Sequence, residues 1–323
     1  MKKNKFILTL CSLVLLFSSC SNNSSSSQQT SSESSIESSV DNIKYVDVFA
    51  FMGQSNMAGR GDAETAITVG EGHAYEFRAI TDPTKLYPMS EPFGYEENKP
   101  GGLSDTNGDG GKKNGGLVSA FCEAYYQNTG VPVVGVSCSE GGTNSDEWQI
   151  GGGKIEDAKE RLELCLMYLA SQDEFTVRNI NMVWLQGESD AGNGRSYDYY
   201  TTNMNKVVNE MQSVGVNKCF LITIGNYMKS VNEDRYNLYK VMQDNQALWA
   251  KNEEDVVLVS IKLEEMGEDL MHLSNHFRQP AYNVVGNDAG KNTAYYINTG
   301  KDPICKEYVP GEEFDINPIL DEE

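Results

Sequence analysis

Histidine is scarce in this chain: three in 323 residues, at positions 73, 272 and 276. No Cys-x-x-Cys pair is present and no Cys/His spacing matches a zinc site, so a metal cofactor has no visible ligand set. Of the seven cysteines, Cys11 and Cys20 fall in the N-terminal apolar region. The others, Cys122, Cys138, Cys165, Cys219 and Cys305, form an odd, scattered set that argues against a disulfide framework. Three of them (138, 165 and 219) lie inside apolar patterns, where a free thiol packs as a small hydrophobe. Positive charge is short as well: 26 Lys and Arg face 47 Asp and Glu, a formal net charge of −21. Such a surface repels nucleic acid and anionic head groups. It suits a soluble enzyme acting on neutral substrates without selecting one.

Long hydrophobic runs are also missing. The apolar stretch FILTLCSLVLLF follows the basic MKKNK and precedes SSC. It has signal-peptide length and falls short of the roughly 20 residues that cross a bilayer. The cysteine at its end resembles the lipobox of bacterial lipoproteins, with Phe17 where leucine is usual. Residues 1–20 are therefore expected to be a lipoprotein signal peptide, with Cys20 as the lipidated first mature residue. Residues 21–42 are nearly all Ser, Asn, Gln and Glu and are expected to form a disordered tether. On this reading the domain at 43–323 is extracytoplasmic, a cell-surface lipoprotein or a secreted protein, and meets a membrane only through the lipid on Cys20. Its length suits one α/β domain.

Within that domain, short apolar runs recur at 46–51, 131–137, 180–186, 219–225 and 255–261. Helical patterns separate most of them. AKERLELCLMYLASQ puts Leu162, Leu166 and Leu169 on one face, and YTTNMNKVVNEMQSVG and RYNLYKVMQDNQALWAKN read alike. Strands without polar alternation, joined by helices, predict a parallel sheet of five strands covered on both faces. The polar stretch from about 61 to 116 predicts long loops with a small hairpin over one end of the sheet. In open α/β sheets the site lies at the carboxyl ends of the strands. Those ends carry GQSNMAGRG, CSEGGTNSDEW and QGESDAGNG, and EDLMHLSNH follows the last strand.

These clusters suit ester hydrolysis. A serine hydroxyl needs a base to take its proton, and Ser55 stands at a strand-to-helix turn. Asp269 precedes His272 by three residues, a spacing that lets a carboxylate orient an imidazole. His276 is the other candidate base, although Leu273 stands where its acid would be; Glu188, Asp190 and Asp288 are then the candidate acids. His73, in an acidic loop, is expected to be solvated. Donors for a developing oxyanion are available from the Ser55 N–H, from the Gly141-Gly142-Thr143 turn and from the Gln186 side chain.

GQSNMAGRG, GGTNSDEW, WLQGESDA and DLMH resemble, in order, the four sequence blocks of the SGNH-type hydrolases. More narrowly they are similar to the branch of sialate O-acetylesterases and acetylxylan esterases. The resemblance spans Tyr45 to about Gly286 and implies a flavodoxin-like three-layer α/β/α fold and metal-independent deacetylation of carbohydrates, with no cofactor. It makes Ser55 the nucleophile, His272 the base and Asp269 its acid. Gly142, or Gly141 in its place, and Gln186 become oxyanion donors beside the Ser55 N–H. The chain departs from the pattern after the histidine, where HLSNHFRQPAYNVVG brings His276 and Arg278 before any glycine.

Two further readings remain. Asp105 to Asp109 looks like the first half of a calcium loop, but Gly116 stands where a bidentate Glu is needed. Trp148, Tyr197, Tyr199 and Tyr200 follow the site clusters and could stack on sugars or pack. The alternatives to a carbohydrate O-acetylesterase are a lipase- or thioesterase-like hydrolase of the same superfamily and a glycan-binding lipoprotein without turnover.

Overall fold

The computed structural model describes residues 43–95, 97–98, 113–315 and 317. The expected signal peptide and tether, Cys20 and the Asp105–Asp109 loop lie outside the described residues. The central sheet is built from β1 (Lys44–Gly53), β2 (Ala74–Arg78), β3 (Asp82–Pro88), β4 (Val133–Ser139), β5 (Phe175–Leu185), β6 (Cys219–Ile222) and β7 (Val256–Ser260). Their order is β3-β2-β4-β1-β5-β6-β7, and every pairing is parallel except β2 with β3.

All five expected strands are present, as β1, β4, β5, β6 and β7. Counted alone they stand second-first-third-fourth-fifth, the flavodoxin-like order. The sheet has seven strands, not five, because the hairpin expected over one end of the sheet extends its edge instead. β2 adds in parallel to β4, burying Ala74 and Phe77. Its pattern was hard to see because the antiparallel β3 is mostly exposed and carries little apolar signal.

Val46 to Met52 of β1 are wholly buried. Apart from Asp47, which is held by Tyr125, Arg178 and Asn179, they form the apolar run of a strand covered on both faces. Phe49 meets Phe121 and Tyr125 of α2 (Val118–Thr129) edge-on. Helix α2 in turn packs along α7 (Gln279–Thr299). Helix α3 (Lys154–Ala170) packs against β4 and β5 and against α5 (Tyr197–Gln212), burying Leu162, Cys165 and Leu169. Helix α6 (Glu233–Asn252) lies against β7 and the short α4 (Glu188–Gly192).

Registry positions the site. Gly53 at the end of β1 stands opposite Ser139 of β4 and Leu185 of β5, so three strands finish at one level. The chain must then turn at once. Gly53 has φ +133°, and a Cβ there would sit 2.0 Å from the Leu185 carbonyl oxygen. Only glycine fits this turn. The Gln54 N–H donates to the same carbonyl at 3.0 Å, and Ser55 opens the four-residue α1 (Ser55–Ala58).

Candidate active site

Ser55 is 5% exposed, and His276 Nε2 lies 2.8 Å from its Oγ. His276 reaches it from a small hairpin, β8 (Met271–Leu273) and β9 (His276–Phe277), in which Leu273 pairs with His276 across a turn at Ser274 and Asn275. The Met228 N–H donates to the Ser274 carbonyl at 2.6 Å and fastens that turn to the body of the protein.

The structure thus puts His276, and not the expected His272, within hydrogen-bond reach of Ser55. His272 is exposed, and its Nδ1 meets the Phe277 carbonyl at 3.2 Å. Asp269 is exposed too, and among the described residues no hydrogen bond joins it to His272. The expected geometry rested on the three-residue spacing of Asp269 and His272 in a turn. Instead α7 starts at Gln279 with Pro280 in its first turn, and the preceding residues pair as strands. A proline marks a helix start, and that signal was present in the sequence. His73 also departs from expectation: it is half-buried, with Nδ1 2.9 Å from a Glu123 oxygen and its ring stacked on Tyr126. It takes no part in the site.

Gln186 is turned inward. Its Nε2 donates to Asp190 Oδ2 at 2.6 Å and to the Thr143 carbonyl at 3.1 Å, and the side chain is fully buried. Asp190 also accepts from the Ser145 N–H at 2.9 Å and the Ser145 hydroxyl at 2.6 Å. Gln186 and Asp190 thus bolt the end of β5 to the Gly141–Ser145 loop instead of facing a substrate. Another amide lies at the cavity. Asn144 lines the same cavity as Ser55, and its Oδ1 accepts from the Asp146 N–H at 3.1 Å. Gly142, at φ +79°, and Gly141 line the same cavity. Asn144 is legible in GGTNSD as a helix cap; nothing in the sequence tells cap from donor.

The cavity measures about 530 Å³, and most of the residues that line it are polar. Two basic residues, Arg60 and Arg235, are among those that line it, against the acidic balance of the chain as a whole. Of the aromatic candidates, Trp148 and Tyr200 are core residues. Trp148 Nε1 donates to Thr143 Oγ1 at 3.1 Å, and the Tyr200 hydroxyl to the Gln186 carbonyl at 2.9 Å. Tyr197 accepts from Asn252 Nδ2 at 3.0 Å, and Tyr199 stacks under Arg195 and bonds Asp146. The aromatic that lines the cavity is Tyr239 of α6, which sequence reasoning missed.

Glu188 also lines the cavity, and burial pushes its carboxyl up to about 7. The folded chain holds that proton more tightly than the unfolded chain, whose carboxyl titrates near the ordinary 4.5. This stabilising contribution is complete below about pH 4.5 and is lost as pH rises through 7. The difference corresponds to about 3 kcal/mol. Urea unfolding at pH 5 and pH 8 should show wild type losing about 2.5 kcal/mol more stability than Glu188→Gln; equal losses would refute it.

A family model for the carbohydrate esterase, sialic acid-specific acetylesterase, matches residues 45–291. No curated protein matches the chain. Among solved structures, a protein from Arabidopsis thaliana superposes with a TM-score of 0.57 at 18% identity, covering 78% of this chain and 98% of that one. NanS superposes with a TM-score of 0.55 at 14% identity, covering 81% of this chain and all of NanS. At such identities the superpositions speak for the fold alone. The family match covers most of the chain and includes all the strand-end clusters around Ser55, so this protein belongs to the carbohydrate esterases of the sialic acid-specific acetylesterase family.

Proposed function

We propose that the chain removes O-acetyl groups from sugars by nucleophilic catalysis at Ser55, with His276 as the base. The contact of 2.8 Å between His276 Nε2 and Ser55 Oγ carries this reading. The hydroxyl attacks the acetyl carbonyl carbon while Nε2 takes its proton. The tetrahedral oxyanion is met by the Ser55 and Gly142 N–H groups and by Asn144 Nδ2. Its collapse breaks the bond to the sugar oxygen, which receives the proton back from His276. Water, deprotonated by the same imidazole, then releases acetate from Ser55. The polar lining supports a short acyl group over the long chain a lipase would hold.

Arg60 and Arg235 further support a sugar bearing a carboxylate, in contrast to the neutral substrate that the overall charge suggests. A guanidinium binds a carboxylate through charge-assisted hydrogen bonds. Acetate release from acetylated neutral and acidic sugars tests both statements. We expect kcat/KM about tenfold higher for the acidic sugars, a preference of about 1.4 kcal/mol, which Arg235→Ala should collapse. Equal rates on both classes would remove the acidic-sugar reading, and no acetate from any sugar would remove the function.

A further inference from the structure

Asn56 follows the nucleophile and is completely buried, yet every polar atom of its side chain is engaged. Nδ2 donates to Glu188 Oε1 at 2.6 Å and to the Asn275 carbonyl at 3.0 Å, and Oδ1 accepts from the Tyr282 hydroxyl at 2.7 Å. These partners belong to α4, to the β8–β9 turn and to α7. Asn275 immediately precedes His276. One side chain, one residue past the nucleophile, therefore grips the backbone one residue before the base.

The β8–β9 hairpin needs such a grip. It contains five strand residues in two short strands, and an isolated two-stranded hairpin is marginal at best. Where His276 stands is thus decided by what the turn is docked on. Glu188 completes the arrangement. With one amide hydrogen of Asn56 on Glu188 and the other on Asn275, the carboxamide cannot rotate away from the turn. Among the described residues, Glu188 Oε2 is buried with no hydrogen-bond partner, and Asn56 is the side chain that its Oε1 holds.

We propose that Asn56 and Glu188 are positioning residues that hold the His276 hairpin in reach of Ser55. The proposal rests on the reading of Ser55 and His276 as nucleophile and base. Displacing a base by about 1 Å can cost on the order of 100-fold in rate without touching substrate affinity. Steady-state kinetics with p-nitrophenyl acetate on the full chain tests it, with Ser55→Ala and His276→Ala alongside and thermal melts to verify folding.

We expect Asn56→Ala to lower kcat about 100-fold with KM within about threefold of wild type. Glu188→Ala should lower kcat about tenfold or more. Glu188→Gln should recover most of that loss, because its amide oxygen still accepts from Asn56. A folded Asn56→Ala with wild-type kcat, beside inactive Ser55→Ala and His276→Ala, overturns the clamp and leaves the site reading intact. So does a Glu188→Gln as impaired as Glu188→Ala, since the charge and not the bond would then matter. An active Ser55→Ala overturns the site reading itself. Should Asn56→Ala fail to fold, the two Glu188 variants decide by the same criteria.

Discussion

His276→Ala is expected to lower kcat for acetyl ester hydrolysis by about 1,000-fold or more, the cost of removing a member of a catalytic unit. His272→Ala is expected to keep at least about a third of wild-type turnover, since its exposed ring makes its described contact with the Phe277 carbonyl and not with Ser55. The contrast follows from a hydrogen bond. His276 Nε2 is 2.8 Å from the Ser55 hydroxyl, the separation a proton transfer requires. Double removal, Ser55→Ala with His276→Ala, should cost no more than either alone, because the two act as one unit. The rate should also fall at low pH as the imidazole takes a proton and ceases to be a base. Stopped assays of the two histidine variants decide the matter: an active His276→Ala beside an inactive His272→Ala would reverse the assignment and restore Asp269 as the orienting acid.

Asn144→Asp is the second large effect. It should lower kcat by about 100-fold, the usual loss when one oxyanion donor is removed, with little change in KM. Aspartate is chosen because it keeps the helix-capping oxygen that accepts from the Asp146 N–H. A loss of activity is then not a loss of the cap, worth about 1 kcal/mol by itself. The negative charge it introduces also opposes the oxyanion, so Asn144→Ala should lose activity by a smaller factor in kcat and some stability besides. Gln186→Ala should behave in the opposite way. Its amide is spent on Asp190 and on the Thr143 carbonyl, so removing it leaves the buried Asp190 short of a donor. The expected result is a lower melting temperature, by several degrees for a few kcal/mol. Normal kcat in Asn144→Asp, with a dead but fully stable Gln186→Ala, would return the donor role to Gln186.

Much of the scaffold was readable. The five apolar runs became the five strands they predicted, because a strand buried on both faces cannot carry polar alternation. The polar clusters after them converged because parallel strands all end on one side. The edge strands were legible only as a hairpin, since β3 is largely exposed and has no apolar face to announce it. Glu188 stood in a recognisable QGESD block, but its raised proton affinity comes from burial beneath α6 and the nucleophile turn, which no local pattern encodes.

What the sequence by itself determined is therefore the class of fold, the serine at the first strand end and the chemistry that the assembled residue types permit. Strand periodicity, the glycine that alone can turn at 53 and the order of the polar blocks are local facts, and they survive into the structure. Tertiary structure decided which histidine meets the serine and which amide is buried beneath the site. Ser55 and His276 are 221 residues apart, and two imidazoles four residues apart in one segment offer identical chemistry. The choice between them turned on the β8–β9 hairpin, which brings His276 and not His272 to the serine. Likewise Gln186 and Asn144 are both carboxamides beside the site, and only the position of Asp190 drew one of them inward. Orientation of a side chain is set by partners distant in the chain, and local spacing has no term for them.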